Sequence, residues 1–236
     1  MITRFGFLGV SYNTKAITEA EARSYKVFRS DKVKGKVGHF DWYLPNLGQM
    51  SLLAGNKHPY DIDGAAWKAT QDAAQAMRGN VGGFFDYGGT FSSLKDGQML
   101  AFCGIGDWIT GVLEKNGASV RSVIPEEGGL QWTESFCIGK DSKKQDLARK
   151  WIQYITSARG QAKSANMAAY PAMIPNKKGW EILAKEVPEE ARRQRMEIGK
   201  PNVMDDIRSG LIQFRQLPVQ QGIEDWNDFW MTYKGA

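Results

Sequence analysis

The chain has 236 residues, enough for one large domain or two small ones, and its 42% hydrophobic and 24% charged residues are the balance of an ordinary globular protein. The net charge of +5 comes from Lys and Arg scattered along the chain. The densest stretch, Glu189-Glu190-Ala191-Arg192-Arg193-Gln194-Arg195, mixes both signs and reads as a solvated helix face rather than a nucleic-acid stripe. No apolar run approaches the roughly 18 residues of a membrane helix, and Met1-Ile2-Thr3-Arg4-Phe5 has no long apolar core of a targeting segment.

In chain order, residues 5–13 (Phe-Gly-Phe-Leu-Gly-Val-Ser-Tyr-Asn) read as a strand, and 16–29 as a short helix plus loop. A short strand over 37–40 is closed by Asp41-Trp42-Tyr43-Leu44-Pro45, after which a helix starts near Asn46. Residues 61–78 are the clearest helix, with Asp61 or Asp63 as cap and Ala66, Ala69, Thr70, Ala73 and Met77 on one side. The segment Gly79-Asn80-Val81-Gly82-Gly83-Phe84-Phe85-Asp86-Tyr87-Gly88-Gly89 fits no phosphate-binding loop and reads as a flexible crossing. A helical turn at 91–94 and a tight turn at 95–97 precede a buried strand over 98–104. Asp107 caps the next helix, which ends at Asn116-Gly117.

Strands over 120–124 and 130–138 follow. Ser142 caps a helix with Leu147, Ala148, Trp151, Ile152 and Ile155 on one side, and 160–169 form another helix. The remainder reads as helices over 180–185, 188–195 and 205–211 and a last one carrying Ile223, Trp226, Trp230 and Tyr233. Strands alternating with helices point to an α/β fold with a largely parallel sheet.

The stretch with the sharpest chemistry is Pro125-Glu126-Glu127-Gly128-Gly129-Leu130-Gln131-Trp132-Thr133-Glu134. Period 2 puts Leu130, Trp132, Glu134 and Phe136 on one strand face. A carboxylate on an apolar face is costly unless paired, and beside a Trp it makes a receptor for an organic cation. A register slip of one residue is the alternative, leaving Glu134 solvated and Trp132 in core. Other Trp residues also adjoin acids, as in Asp41-Trp42, Asp107-Trp108 and Asp225-Trp226, in a chain with eight Trp.

Catalytic and metal-binding patterns are absent from the sequence. His39 and His58 are the only histidines, and no HExxH, zinc spacing or nucleophile elbow occurs. Cys103 and Cys137 lie in apolar extended runs without C-x-x-C spacing; they read as two buried free thiols, with a disulfide as the alternative. Binding without chemistry fits better than an enzyme, and no cofactor or metal is expected.

The order of motifs carries a family likeness. Gly9-Val10-Ser11-Tyr12-Asn13-Thr14-Lys15, then Lys34-Gly35-Lys36-Val37 and Asp41, a glycine-rich middle, Gly106-Asp107-Trp108, Ile124-Pro125-Glu126-Glu127-Gly128-Gly129 with Trp132 and Glu134, and Tyr170-Pro171-Ala172 together resemble the extracellular solute-binding proteins of ABC importers. The branch is that of spermidine/putrescine-type, family 1 receptors. The resemblance implies a two-lobed, type II periplasmic-binding clamshell on an α/β frame. Lobe one, over 1–25 and 120–172, would be incomplete, and lobe two would span 26–119 and 173–236.

It further implies a substrate-binding component, not an enzyme, located in the periplasm or outside the cell and partnered by a membrane permease. Its ligand would be an amine-bearing solute such as a polyamine or γ-amino acid. An enzyme or an effector-binding regulatory domain on the same clamshell is the alternative, since fold does not decide function. The ligand-binding positions carried over are Trp132, Glu134, Asp41, Trp42, Tyr43, Asp107, Trp108 and Tyr170, with Gln216 or Gln220 matching a C-terminal glutamine. The second acid of polyamine receptors is replaced by Leu44-Pro45, which implies a ligand with fewer positive charges. The chain resembles the C-terminal two-thirds of a receptor, and unpaired edges in an incomplete lobe one imply pairing into a homodimer.

Overall fold

A computed structural model describes residues Met1–Ala236. The strands and helices run β1 (Ile2–Leu8), β2 (Val10–Asn13), α1 (Glu19–Ala22), β3 (Val37–Phe40), α2 (Tyr43–Leu53), α3 (Gly64–Gln75), β4 (Val81–Phe85), α4 (Tyr87–Lys95), β5 (Ala101–Cys103), α5 (Asp107–Lys115) and β6 (Val120–Val123). They continue as β7 (Gly129–Ser135), α6 (Gln145–Thr156), α7 (Ala158–Ala165), α8 (Lys177–Glu186), α9 (Pro188–Arg193), α10 (Val203–Arg208), β8 (Ile212–Phe214) and α11 (Ile223–Gly235).

The single strand expected over 5–13 is two strands broken at Gly9, where the Val123 carbonyl comes so close that a Cβ would collide with it. β1 joins a three-stranded sheet of order β1-β7-β8, and β2 joins a five-stranded sheet of order β4-β3-β5-β2-β6. The fold is α/β as expected, but the larger sheet is mixed. β3 runs parallel to β4 and β5, whereas β2 is antiparallel to both β5 and β6.

The glycine-rich segment read as a flexible crossing supplies β4, and β8 lies between two expected helices, where no element was assigned. Helix starts differ too. Asp63 caps α3, its side chain accepting from Ala66 N, but Gly106 rather than Asp107 is the N-cap of α5. The helix expected from Ser142 begins only at Gln145.

The chain divides into two compact units. Unit 1 comprises Met1–Gly6 and Trp132–Ser209, and unit 2 comprises Phe7–Gln131 and Gly210–Ala236. The division expected at 1–25, 26–119, 120–172 and 173–236 falls elsewhere, because pairing of β2 and β6 with β5 draws 7–25 and 120–131 into unit 2. In the other direction, 173–209 belongs to unit 1. Unit 2 is packed around Leu94, Met99, Phe102, Ile105, Ile109, Leu113 and Val120, the apolar sides of α4, β5, α5 and β6. In unit 1, Phe5 N donates to Met173 O (2.9 Å), Gln161 Nε2 donates to Thr3 O (2.9 Å) and Trp180 Nε1 donates to Ile174 O (2.7 Å). Those bonds fix β1 and the 170–174 segment against α7 and α8.

Candidate functional site

In unit 1 the end of β7 carries the expected pair. Leu130 and Trp132 are buried, but so is Gln131 between them; alternation shows only from Trp132 to Ser135, with Thr133 and Ser135 exposed and Glu134 half-buried, and Phe136 is exposed. Trp132 lies near-parallel to Tyr170, with ring centroids 5.7 Å apart and planes at 28°. Its Nε1 is buried without a hydrogen-bond partner. An indole N–H is a donor only, and leaving it unpaired in a buried position costs about 1–3 kcal/mol. Trp132, Glu134 and Tyr170, three of the expected ligand residues, are thus brought into one cluster.

Glu134 is already paired. Arg4 donates to its Oε2 from Nε (3.0 Å) and from Nη2 (2.5 Å). The guanidinium carbon also lies 4.1 Å from the Tyr170 ring centroid, and Nη1 reaches Tyr170 O at 3.4 Å and Met167 Sδ at 3.8 Å. The Arg4 side chain is only 18% exposed, so this pair is better shielded than an ordinary surface salt bridge. Sequence reading missed Arg4. Arg4 lies one residue before the strand expected over 5–13 but within β1 as observed, opposite the misfit carboxylate of β7.

The remaining expected residues lie in unit 2. Asp41 accepts from Lys234 Nζ (2.5 Å) and from Trp230 Nε1 (3.1 Å). Burial opposes ionisation there, but the Lys234 ammonium and the Trp230 indole hold the carboxyl below its ordinary value. Asp107 is buried in the first turn of α5, and its Oδ1 accepts from Phe7 N (3.1 Å). Both carboxylates therefore have structural partners. Trp42 precedes α2, its carbonyl held by Asn46 Nδ2 (2.8 Å), and its ring is covered by the Arg215 guanidinium at 4.4 Å. Tyr43 opens α2.

Trp108 belongs to an aromatic group that the sequence reading did not assemble: it lies 5.9 Å from Tyr87 and 5.7 Å from Phe91, and Tyr87 lies 4.5 Å from Phe40. Tyr87 is 53% exposed, and its position at the start of α4 follows from the cap that Asp86 provides through Gly89 N (2.7 Å). Gln216 is exposed, and Gln220 donates to Asp61 Oδ1 (2.8 Å).

The cysteines are free, Cys103 buried and Cys137 exposed, so only the first matches the expected buried thiol. Cys103 Sγ donates to Gln49 Oε1 (3.0 Å), and burial pushes its thiol well above the ordinary value, the reverse of what a nucleophile needs.

Residues 6–181 match the family model described as bacterial extracellular solute-binding protein. The chain belongs to that family. None of the curated proteins matches this solute-binding protein in sequence. Solved structures with the same fold include a putative spermidine/putrescine ABC transporter from Listeria monocytogenes, with a TM-score of 0.80 and 19% identity, covering 99% of this chain and 68% of that one. Spermidine/putrescine ABC transporter substrate-binding protein PotD from Streptococcus pneumoniae strain Canada MDR_19A is similar, with a TM-score of 0.81, 17% identity and coverage of 100% and 68%. So is the Atu4243-GABA receptor, with a TM-score of 0.68, 15% identity and coverage of 99% and 68%. The solute-binding protein thus has a mixed α/β periplasmic-binding-protein fold and spans about two-thirds of those chains. Its family binds solutes, and the enzyme alternative is set aside. No helix is long and apolar enough to cross a membrane.

Proposed function

We propose that the protein is the substrate-binding component of an ABC importer, working in the periplasm or outside the cell with a membrane permease, and that it binds a small amine-bearing solute. The observation that carries this reading is the unit 1 cluster of Trp132, Tyr170 and Glu134, set in a chain of the solute-binding family. Stacked aromatic faces suit the aliphatic chain of such a solute, and Glu134, held by Arg4, marks the polar border of that surface. On unit 2, considered by itself, Trp42, Tyr43, Trp108 and Gln216 are the positions proposed for solute contact, whereas Asp41 and Asp107 are engaged by the partners described above.

The test is a thermal-shift screen of the purified protein with putrescine, spermidine, γ-aminobutyrate and glycine betaine, with glucose as a control, followed by calorimetric titration of any hit. Saturable binding of at least one amine, weakened by Trp132→Ala and Tyr170→Ala, is the expected result. Binding of none of the amines overturns the reading.

Pairing of two copies is a separate proposal. It is supported by the exposed apolar residues Leu147, Trp151 and Tyr154 on α6, and a monomeric mass by light scattering at high concentration would end it.

A further inference from the structure

Unit 2 has a concavity that none of the solute positions proposed above lines. It is a groove of about 490 Å³ between α3 and α11, within the size range of small-molecule sites. Helical spacing aligns its walls, with Trp67 and Gln71 on α3 facing Asp225, Asp228, Phe229 and Thr232 on α11.

The aromatic wall is the end of a stack. Tyr60 lies on Trp226 at 5.5 Å and 22°, and Trp226 lies on Trp67 at 5.1 Å and 11°. Trp226 is enclosed, whereas Trp67 is half-buried and borders the groove. Phe229 meets Trp67 edge-on at 5.7 Å and 75°. The series of parallel rings thus stops at the groove, where another flat group can continue it.

The polar groups there have acceptor capacity to spare. Asp225 accepts from Gly222 N through Oδ2, and its place in the first turn of α11 suits the helix dipole. Asp228 lies beyond that turn, is exposed, and takes part in no hydrogen bond or ion pair through its carboxylate. The Gln71 amide is likewise unengaged. Although the chain carries a net charge of +5, no Lys or Arg lines the groove. The one lysine of α3, Lys68, pairs with Asp72, and the one lysine of α11, Lys234, pairs with Asp41.

We propose that this groove is a second ligand site, for a small guanidinium compound: the flat cation lies on the Trp67 ring and donates to the carboxylates of Asp228 and Asp225, with Gln71 Oε1 as a neutral acceptor on the opposite wall. A guanidinium fits better than an ammonium because it is planar, weakly hydrated and able to donate two parallel N–H groups to one carboxylate. Stacking on an indole adds the cation–π attraction. The site goes beyond the solute reading above and does not depend on it.

Agmatine and putrescine share a four-carbon amine and differ at the other end, guanidinium against ammonium. Calorimetric titration of each into the wild type and into Trp132→Ala/Tyr170→Ala, with and without Asp228→Asn, tests the site apart from the unit 1 cluster. Agmatine is expected to bind saturably with a Kd below about 1 mM in the wild type and in the double variant. In the double variant it should bind at least about fivefold tighter than putrescine. Asp228→Asn should weaken agmatine about tenfold, the scale of one charge-assisted contact, and Trp67→Leu should do the same. Asp228 is exposed, so its variant keeps the test decisive should Trp67→Leu fail to fold. Comparing Asp228→Asn with the wild type does so should Trp132→Ala/Tyr170→Ala fail.

No saturable agmatine binding up to about 10 mM, or binding unmoved by Asp228→Asn, overturns the site. Equal affinity for putrescine in the double variant overturns the guanidinium class. Each of these results leaves the solute reading to its own amine screen on the wild type.

Discussion

His39 should make the protein acid-sensitive in a window set by one side chain. It is buried in β3, with Nδ1 2.6 Å from Asn46 Oδ1 and Nε2 3.1 Å from Tyr233 Oη. Asn46 donates its amide hydrogens to Phe40 O and Trp42 O, which leaves Oδ1 facing the ring. Nδ1 must therefore carry the proton, and Nε2 accepts from the Tyr233 hydroxyl. The imidazole also stacks on Phe84 at 5.3 Å and meets the edge of Trp230 at 5.4 Å.

Burial, reinforced by the positive charge of Arg78 and opposed by the Asn46 bond and by Asp41, lowers its pKa from 6.5 to about 4. Between those values the unfolded chain binds a proton that the folded chain does not, so stability rises with pH across the window and is lost as pH falls. At about 1.4 kcal/mol per pH unit the loss between pH 7 and pH 4 comes to about 3 kcal/mol. Urea unfolding of the wild type and His39→Gln at pH 7, 5.5 and 4 measures it. The variant has no titrating ring, so the stability difference between the two should move against the wild type by about 3 kcal/mol over that range. A difference constant to within about 1 kcal/mol, or an imidazole that titrates near 6.5 by NMR in the folded protein, would refute the reasoning.

Gly38 sits in β3 where a Cβ would run into the Phe102 ring. Gly38→Ala should therefore destabilise the protein by about 1–3 kcal/mol in chemical unfolding, and an unchanged midpoint would show that Phe102 can move aside. Asp41→Asn removes the Lys234 ion pair but leaves Trp230 an acceptor. Its side chain is 39% exposed, so the cost should be no more than about 1 kcal/mol, with solute affinity by titration unchanged. A loss of affinity at unchanged stability would make Asp41 a ligand contact instead.

Strand and helix alternation, the Asp63 cap and the Trp132–Glu134 pair could be read from the chain because each depends on neighbours a few residues apart. What could not be read depends on distant partners. Val81 to Phe85 is glycine-rich and looks like a loop, yet it becomes a strand because β3 offers a parallel edge at Gly38↔Gly83 and His39↔Phe84. Strand direction was misjudged for the same reason. Nothing within Val10–Asn13 says that it runs against β5 and β6. Glu134 was legible as a misfit, but its partner was not, since Arg4 lies 130 residues away. Acids next to Trp proved an uneven guide. Asp41 and Asp107 have structural partners, and Asp225 accepts from Gly222 N at the start of α11 while Trp226 stacks in the core against Trp67.

The two thiols differ enough to serve as an instrument. Cys137 is exposed, two residues past the end of β7 and three past Glu134, and it is open to a maleimide dye. Cys103 is sealed in β5 with its proton held toward Gln49 and its ionisation suppressed by burial. Under native conditions a thiol reagent should label one site, close in sequence to the Trp132–Glu134 pair, without any engineered cysteine. A second equivalent should react only when β5 opens, so labelling stoichiometry followed against urea becomes a clock for the opening of the unit 2 sheet, read separately from the dye on Cys137 in unit 1.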